Sequence, residues 1–217
     1  MEGFGVRIWY QSATSMGFDS RWEPYEKALR AHIKEIARPD TEVESFGVEI
    51  TTPDYDKYCY FEYLNTSQIL NNVIRAEREG YDTFAIGCIL DPGFPEVRGI
   101  VDIPVAFVGE SSMHFACMMG ERFSIIVRQP YMLSRIRRNI KRYGLENKAG
   151  PIGCLNFDFQ STVDAFENPT PLIEAFTQES ERVGNQDVDV LIPGCMILNM
   201  VLFKSGVRQV NGVPILD

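Results

Sequence analysis

The chain has 217 residues, 45% hydrophobic and 24% charged, which suits a globular protein of one large domain or two small lobes and disfavours disorder. With 30 acidic and 21 basic residues the net charge is −9, so phosphate backbones and anionic lipid surfaces would repel it, and nucleic-acid and membrane-surface roles drop out. No apolar run approaches the ~20 residues of a membrane span, and the first residues, MEGFGVRIWYQSATSM, lack the basic start and long apolar stretch of a secretory signal.

In chain order, the apolar positions alternate between a strand period and a helix period. Residues 6–10 read as a buried strand ending in the polar loop Gln11-Ser12-Ala13-Thr14-Ser15. A helix follows over 24–37, with Pro24 in its first turn, one stripe of Tyr25, Ala28, Leu29, Ile33 and Ile36, and Arg38-Pro39 as its stop. Residues 41–46 alternate like a strand; 61–79 carry a second stripe (Leu64, Ile69, Leu70, Val73, Ile74) closed by Gly80. Short strands are predicted at 83–87 and 105–108. Helix and strand then alternate over 112–119, 123–127, 131–143, 152–155, 171–183 and 188–192. This order predicts an α/β fold with mainly parallel sheets and helices on both faces. The stretches 51–58 and 156–168, rich in Asp, Pro and aromatics, are expected to be loops that cover a site.

Five cysteines (Cys59, Cys88, Cys117, Cys154, Cys195) are scattered without a C-x-x-C, and only His32 and His114 could assist a metal, which argues against zinc and against a thiol redox protein. An odd count with no export signal predicts free thiols in a reducing cytoplasm. Two of the five stand in an internal repeat. Tyr81-Asp82-Thr83-Phe84-Ala85-Ile86-Gly87-Cys88 resembles Val188-Asp189-Val190-Leu191-Ile192-Pro193-Gly194-Cys195, and Ile103-Pro104-Val105 matches Val213-Pro214-Ile215 downstream. Two copies imply two α/β lobes, residues 1–110 with Cys88 and 111–217 with Cys195, related by an approximate two-fold axis. Each cysteine then lies just past the carboxyl end of a parallel strand, so that the thiols would face each other across the cleft between the lobes. The glycine before each allows a sharp exit and close approach of a ligand, and a helix beginning just after it would favour thiolate. Cys117 in a helix, Cys154 in a strand and Cys59 in an aromatic loop read as packing residues.

These motifs, with Asp91-Pro92-Gly93, Val101-Asp102-Ile103-Pro104 and Gly109-Glu110-Ser111-Ser112-Met113, resemble the aspartate/glutamate/hydantoin racemase superfamily, nearest its hydantoin racemase branch. The resemblance covers nearly the whole chain. It implies two pseudo-symmetric Rossmann-like lobes with four-stranded sheets, an active site in the cleft between them, no cofactor, and Cys88 and Cys195 as acid and base. It also implies a small-molecule substrate and, by analogy, a homo-oligomer. Hydantoin racemases carry an Asn-Pro-Asn-Ser/Thr run after the first strand, where this chain reads Gln11-Ser12-Ala13-Thr14. By the logic of the repeat, a helix completing the first lobe is expected after Asp217.

Racemisation removes a proton from one face of a carbon and returns one to the other, which suits two thiols of similar pKa that exchange roles each turnover. The candidates to stabilise the carbanion, as donors aimed at a developing enolate oxygen, are the backbone N–H of Ile89 and of Met196 and the side chains of Gln11, Ser12, Ser111 and Ser112, these four side chains reading equally well as turn residues and helix caps. Glu110 is a candidate for the rim of the site. The C5 position of a five-substituted hydantoin is acidic enough to need little help, and no histidine flanks either cysteine in sequence. His114 reads as a face or packing residue, His32 as a surface residue, and the basic run Arg135–Arg142 as a solvated helix face. The alternatives are a maleate-type cis–trans isomerase or an arylmalonate decarboxylase-like enzyme of the same superfamily and, in another class, a non-catalytic two-lobed small-molecule binding protein.

Overall fold

The computed structural model describes residues 5–51, 57–184 and 187–217. The chain divides into two compact units, Met1–Val108 and Gly109–Asp217. The first comprises β1 (Val6–Ser12), a single helical turn Ser20–Trp22, α1 (Glu23–Ile36), β2 (Thr41–Phe46), α2 (Cys59–Arg78), β3 (Thr83–Gly87), α3 (Phe94–Ile100) and β4 (Val105–Phe107). Its sheet is parallel throughout, in the order β2-β1-β3-β4. Trp9 anchors the core on one face, stacked 3.7 Å from Phe46 and edge-on to Tyr81 at 5.2 Å.

Pro24 opens α1, where the missing N–H costs nothing. The helix buries Tyr25, Leu29 and His32, spaced at i, i+4 and i+7. His32 is therefore not the expected surface residue: seven positions after Tyr25 is almost two full turns, which returns it to the inward face. Ile36, expected in the buried stripe, is 64% exposed. In α2 the buried face is Asn65, Ile69, Val73 and Ala76, while Leu64 from the expected stripe is exposed. Asn65 holds a core position because its Nδ2 donates to the carbonyl of Ala13 at 2.8 Å, so the buried amide is paired. Cys59 starts this helix and does not stand in a loop. Of the first expected covering loop, 51–58, residues 52–56 lie outside the described residues.

α4 (Val108–Met119) leads into the second unit, which comprises β5 (Phe123–Val127), a single turn Pro130–Met132, α5 (Leu133–Arg142), β6 (Gly153–Cys154), α6 (Phe159–Asp164), α7 (Thr170–Gly184), β7 (Val190–Pro193), α8 (Met196–Lys204), β8 (Gln209–Val210) and β9 (Val213–Pro214). Its sheet runs β6-β5-β7, again parallel. The fourth position is filled by one parallel bridge, Leu191 with Ile215, rather than by a strand. The residues before it are bent into the β8–β9 hairpin, turned at Asn211 and Gly212 with φ of 50° and 83°. The expected loop 156–168 contains α6, which Asp158 caps by accepting from the Ser161 N–H at 2.7 Å. Arg135 is buried, contrary to the solvated reading, because 135, 136, 139 and 140 form the inward stripe of α5. Among the described residues no helix is long and apolar enough to cross a membrane.

The repeat is realised in register. Phe84 pairs with Val105 in the first unit and Leu191 with Ile215 in the second, so the positions matched in sequence hold matching places in their sheets. The acidic residues that open the two copies act alike. Asp82 accepts the Arg7 N–H at 2.7 Å, and Asp189 accepts those of Glu121 and Arg122 at 2.8 and 2.9 Å. Each carboxylate thus ties down the start of the neighbouring strand, β1 or β5.

Candidate active site

Open parallel sheets place reactive groups beyond the carboxyl ends of their strands, and both repeat cysteines stand there. In the first unit Cys88 follows Gly87, the last residue of β3, and is half-buried. Its carbonyl accepts from the Asp91 N–H at 3.0 Å, closing a turn in which Ile89, Leu90 and Asp91 are buried. Asp91 and Gly93 are left-handed, with φ of 49° and 69°, which interrupts helical winding until α3 begins at Phe94. Beside Gly87 in the sheet stands Ser12, the last residue of β1. Ser12 is buried, its hydroxyl sharing a hydrogen bond with that of Thr14 at 2.8 Å. Gln11 is fully buried: its Oε1 accepts from Trp9 Nε1 at 3.0 Å and from Asn72 Nδ2 at 2.9 Å, and its Nε2 donates to the Ser12 carbonyl at 2.8 Å.

Cys195 is placed differently. It is the N-cap of α8, in extended backbone, and Met196 is the first helical residue. Its carbonyl accepts the first helical bond, from the Asn199 N–H at 2.9 Å, which leaves the N–H groups of the opening turn without an intrahelical partner. A helix thus starts one residue after Cys195 and six after Cys88, and the expectation of a helix just behind the cysteine holds for one copy only.

Both glycines stand where a side chain would not fit. A Cβ on Gly87 would collide with the ring and hydroxyl of Tyr10, and one on Gly194 would lie 2.8 Å from the Ile126 carbonyl and 3.0 Å from the Val127 Cα. The first unit fills the space of the missing side chain with a side chain and the second with the neighbouring backbone.

The Gly-Glu-Ser-Ser segment does not form the strand-end loop its sequence suggests. Glu110, Ser111 and Ser112 lie inside α4, which begins four residues earlier than predicted. His114 is on the exposed side of the same helix. Burial pushes the thiols of Cys117 and Cys154 up from the ordinary cysteine value, in keeping with packing roles. Two buried charged residues lie near strand ends without being among the expected site residues, although Asp91 belongs to the Asp91-Pro92-Gly93 motif. Asp91 is 2% exposed in the turn after Cys88, and Arg128 is 1% exposed immediately after β5. The signal for Arg128 is in the sequence: it is the first charged residue after the mainly apolar run FSIIV.

Comparison with known proteins identifies the family and the fold. The family model for Asp/Glu/Hydantoin racemase matches residues 23–217. The chain is 28% identical over 197 residues to a hydantoin racemase of Pseudomonas sp. (strain NS671), covering 88% of this chain and 75% of that one. A hydantoin racemase of Paenarthrobacter aurescens is 29% identical over 159 residues, or 72% of this chain and 65% of that one. In fold the chain is similar to allantoin racemase from Klebsiella pneumoniae, with a TM-score of 0.81 at 21% identity over 98% of this chain and 82% of that one. It is also similar to a glutamate racemase from Francisella tularensis, with a TM-score of 0.66 at 13% identity over 99% and 77%. With cysteines at matching strand ends of a duplicated α/β architecture, the chain belongs to the Asp/Glu/hydantoin racemase family, a family of isomerases.

Proposed function

We propose that the protein is a racemase or epimerase of a carbon acid adjacent to a carbonyl, with Cys88 and Cys195 as its acid–base pair and a five-substituted hydantoin or amino-acid derivative as its substrate. The observation that carries this reading is the duplication: a Gly-Cys step leaves the carboxyl end of β3 and of β7, and the downstream pairing Phe84–Val105 of the first sheet is matched by the bridge Leu191–Ile215 of the second. Packing explains one such cysteine easily and two at equivalent points poorly.

In the reaction one thiolate removes the proton and the other thiol returns one from the opposite face, after which their roles are exchanged. The proton transfers belong to the sulfurs. The Met196 N–H, in the opening turn of α8, and the Ile89 N–H, in the turn after Cys88, are the donors that meet negative charge on the enolate oxygen. Gln11 serves by fixing the end of β1 through Trp9 and Asn72, which holds Ser12 beside Gly87. The hydantoin reading draws its support from the named relatives and from the low barrier to C5 deprotonation.

Solvent deuterium exchange tests this directly. Cys88→Ser should stop incorporation from one enantiomer of a five-substituted hydantoin, and Cys195→Ser from the other, after correction for spontaneous exchange. Equal incorporation from both enantiomers in either variant would overturn the two-base scheme.

A further inference from the structure

Arg128 is among the largest fully buried side chains, and a buried guanidinium is costly unless its surroundings repay it. Arg128 leaves β5 two residues past Ile126, which pairs with Pro193; Cys195 leaves β7 two residues past Pro193. The two therefore depart neighbouring strands at the same level.

From there Arg128 grips the segment after β6 twice. Its guanidinium lies 4.3 Å from the centroid of the Phe159 ring, and its Nη1 donates to the Phe157 carbonyl at 3.4 Å. The Phe157 N–H donates back to the Arg128 carbonyl at 2.9 Å. Between these two residues Asp158 caps α6, its carboxyl held below the usual range first by hydrogen bonds from Ser161 and in smaller part by the charge of Arg128. α6 packs in turn against α8, whose N-cap is Cys195. A continuous set of contacts runs from Arg128 through Phe157, Phe159 and α6 to the helix that Cys195 opens.

We propose that Arg128 is a positioning residue for Cys195, setting its half of the acid–base pair by clamping the Phe157–Phe159 segment and α6 against α8; this rests on the racemase reading above. Arg128 touches no substrate on this account. It fixes where the sulfur and the first N–H of α8 stand, and misplacement of a reacting group by about 1 Å costs up to about a hundredfold in rate.

The test uses the full chain with Arg128→Met, Arg128→Lys and Phe159→Leu, each checked for an intact thermal transition. Two quantities are read: the alkylation rate of Cys195 by iodoacetamide, followed by peptide mass spectrometry with exposed Cys59 as internal control, and deuterium incorporation from each hydantoin enantiomer. Arg128→Met should change the Cys195 alkylation rate several-fold and leave Cys59 unchanged. It should also lower the half-reaction assigned to Cys195 by about tenfold or more, with the other within about twofold. Arg128→Lys should recover part of the loss, and Phe159→Leu, which keeps the charge, should show the same asymmetry more weakly. Unchanged Cys195 alkylation in Arg128→Met and Phe159→Leu, or equal loss from both enantiomers, overturns the assignment. Should Cys195→Ser leave exchange intact, the racemase reading itself falls, and the alkylation rates still decide whether Arg128 sets the position of Cys195.

Discussion

A methyl group at Gly87 has nowhere to go, because the Tyr10 ring already occupies the space it would need. Gly87→Ala is expected to destabilise the protein by roughly 1–3 kcal/mol, as overpacking does, and to lower activity by shifting the residue next to Cys88. Gly194→Ala should cost more. The atoms in its way, the Ile126 carbonyl oxygen and the Val127 Cα, belong to the backbone of β5 and cannot rotate aside as a tyrosine can. Urea midpoints of the two variants check this ordering; equal and negligible shifts would show that both sites relax freely. The glycines were visible in the sequence as part of the repeat. What occupies their missing side-chain space was not, since Tyr10 lies 77 positions before Gly87 and Ile126 lies 68 before Gly194.

Asp82 and Asp189 are the acidic residues that open each copy of the repeat, and their part belongs to the scale of the element. Each reaches across to the neighbouring strand and receives backbone N–H groups where that strand begins. Asp189 takes two such donors, so Asp189→Ala strands both and should cost about 1–2 kcal/mol. Hydrogen exchange should localise the effect, with the amides of Glu121 and Arg122 speeding up while those in the middle of β5 change little. Asp189→Asn, which keeps one acceptor oxygen, should fall between alanine and the parent. A uniform increase along β5 would mean that the carboxylate supports the whole strand and not its start. The repeat is legible in the spacing of residues, but the tethering role of its acid depends on a partner strand that spacing does not reveal. The same limit appears in the helices. The period placed α1 and α2 well, yet counting only apolar residues assigned Ile36 and Leu64 inward and His32 outward, because a helix face is chosen by angle and not by residue class.

For the molecule as a whole, stability should fall away from neutral pH on both sides. Asp19, Asp158 and Glu179 are held below the usual carboxylate range, chiefly by Arg21, by Ser161 and by Arg182. A depressed carboxylate contributes stability that is complete above its unfolded pKa and is lost as pH drops through its folded one. On the alkaline side Tyr81 is pushed up to about 12, first by burial and then by its hydrogen bond to Glu44. A raised value contributes below the unfolded pKa of about 10 and is lost as pH climbs through the folded one. Urea midpoints should therefore hold steady between about pH 5 and 8 and decline beyond each limit, the raised thiols of Cys117 and Cys154 adding to the alkaline fall. Tyr81→Phe should lessen the alkaline decline, and phenolate absorbance should show one tyrosine ionising later than the rest. If Tyr81→Phe leaves the alkaline limb unchanged, the fall has another origin.

The amino-acid sequence by itself determined the alternation of strands and helices, the placement of β2, β3 and β5, the duplication, and the two Gly-Cys steps. All of these follow from local periodicity or self-similarity, which need no partner to be read. The tertiary structure alone decided which residues meet. It put Gln11 in a network with Trp9 and Asn72, made Cys195 a helix cap while Cys88 opens a turn, turned His32 and Arg135 inward, and set Arg128 behind Phe157 and Phe159. The division has a physical cause. Backbone conformation responds to neighbours a few positions away, whereas the burial of a polar group depends on hydrogen-bond partners that only folding brings within reach.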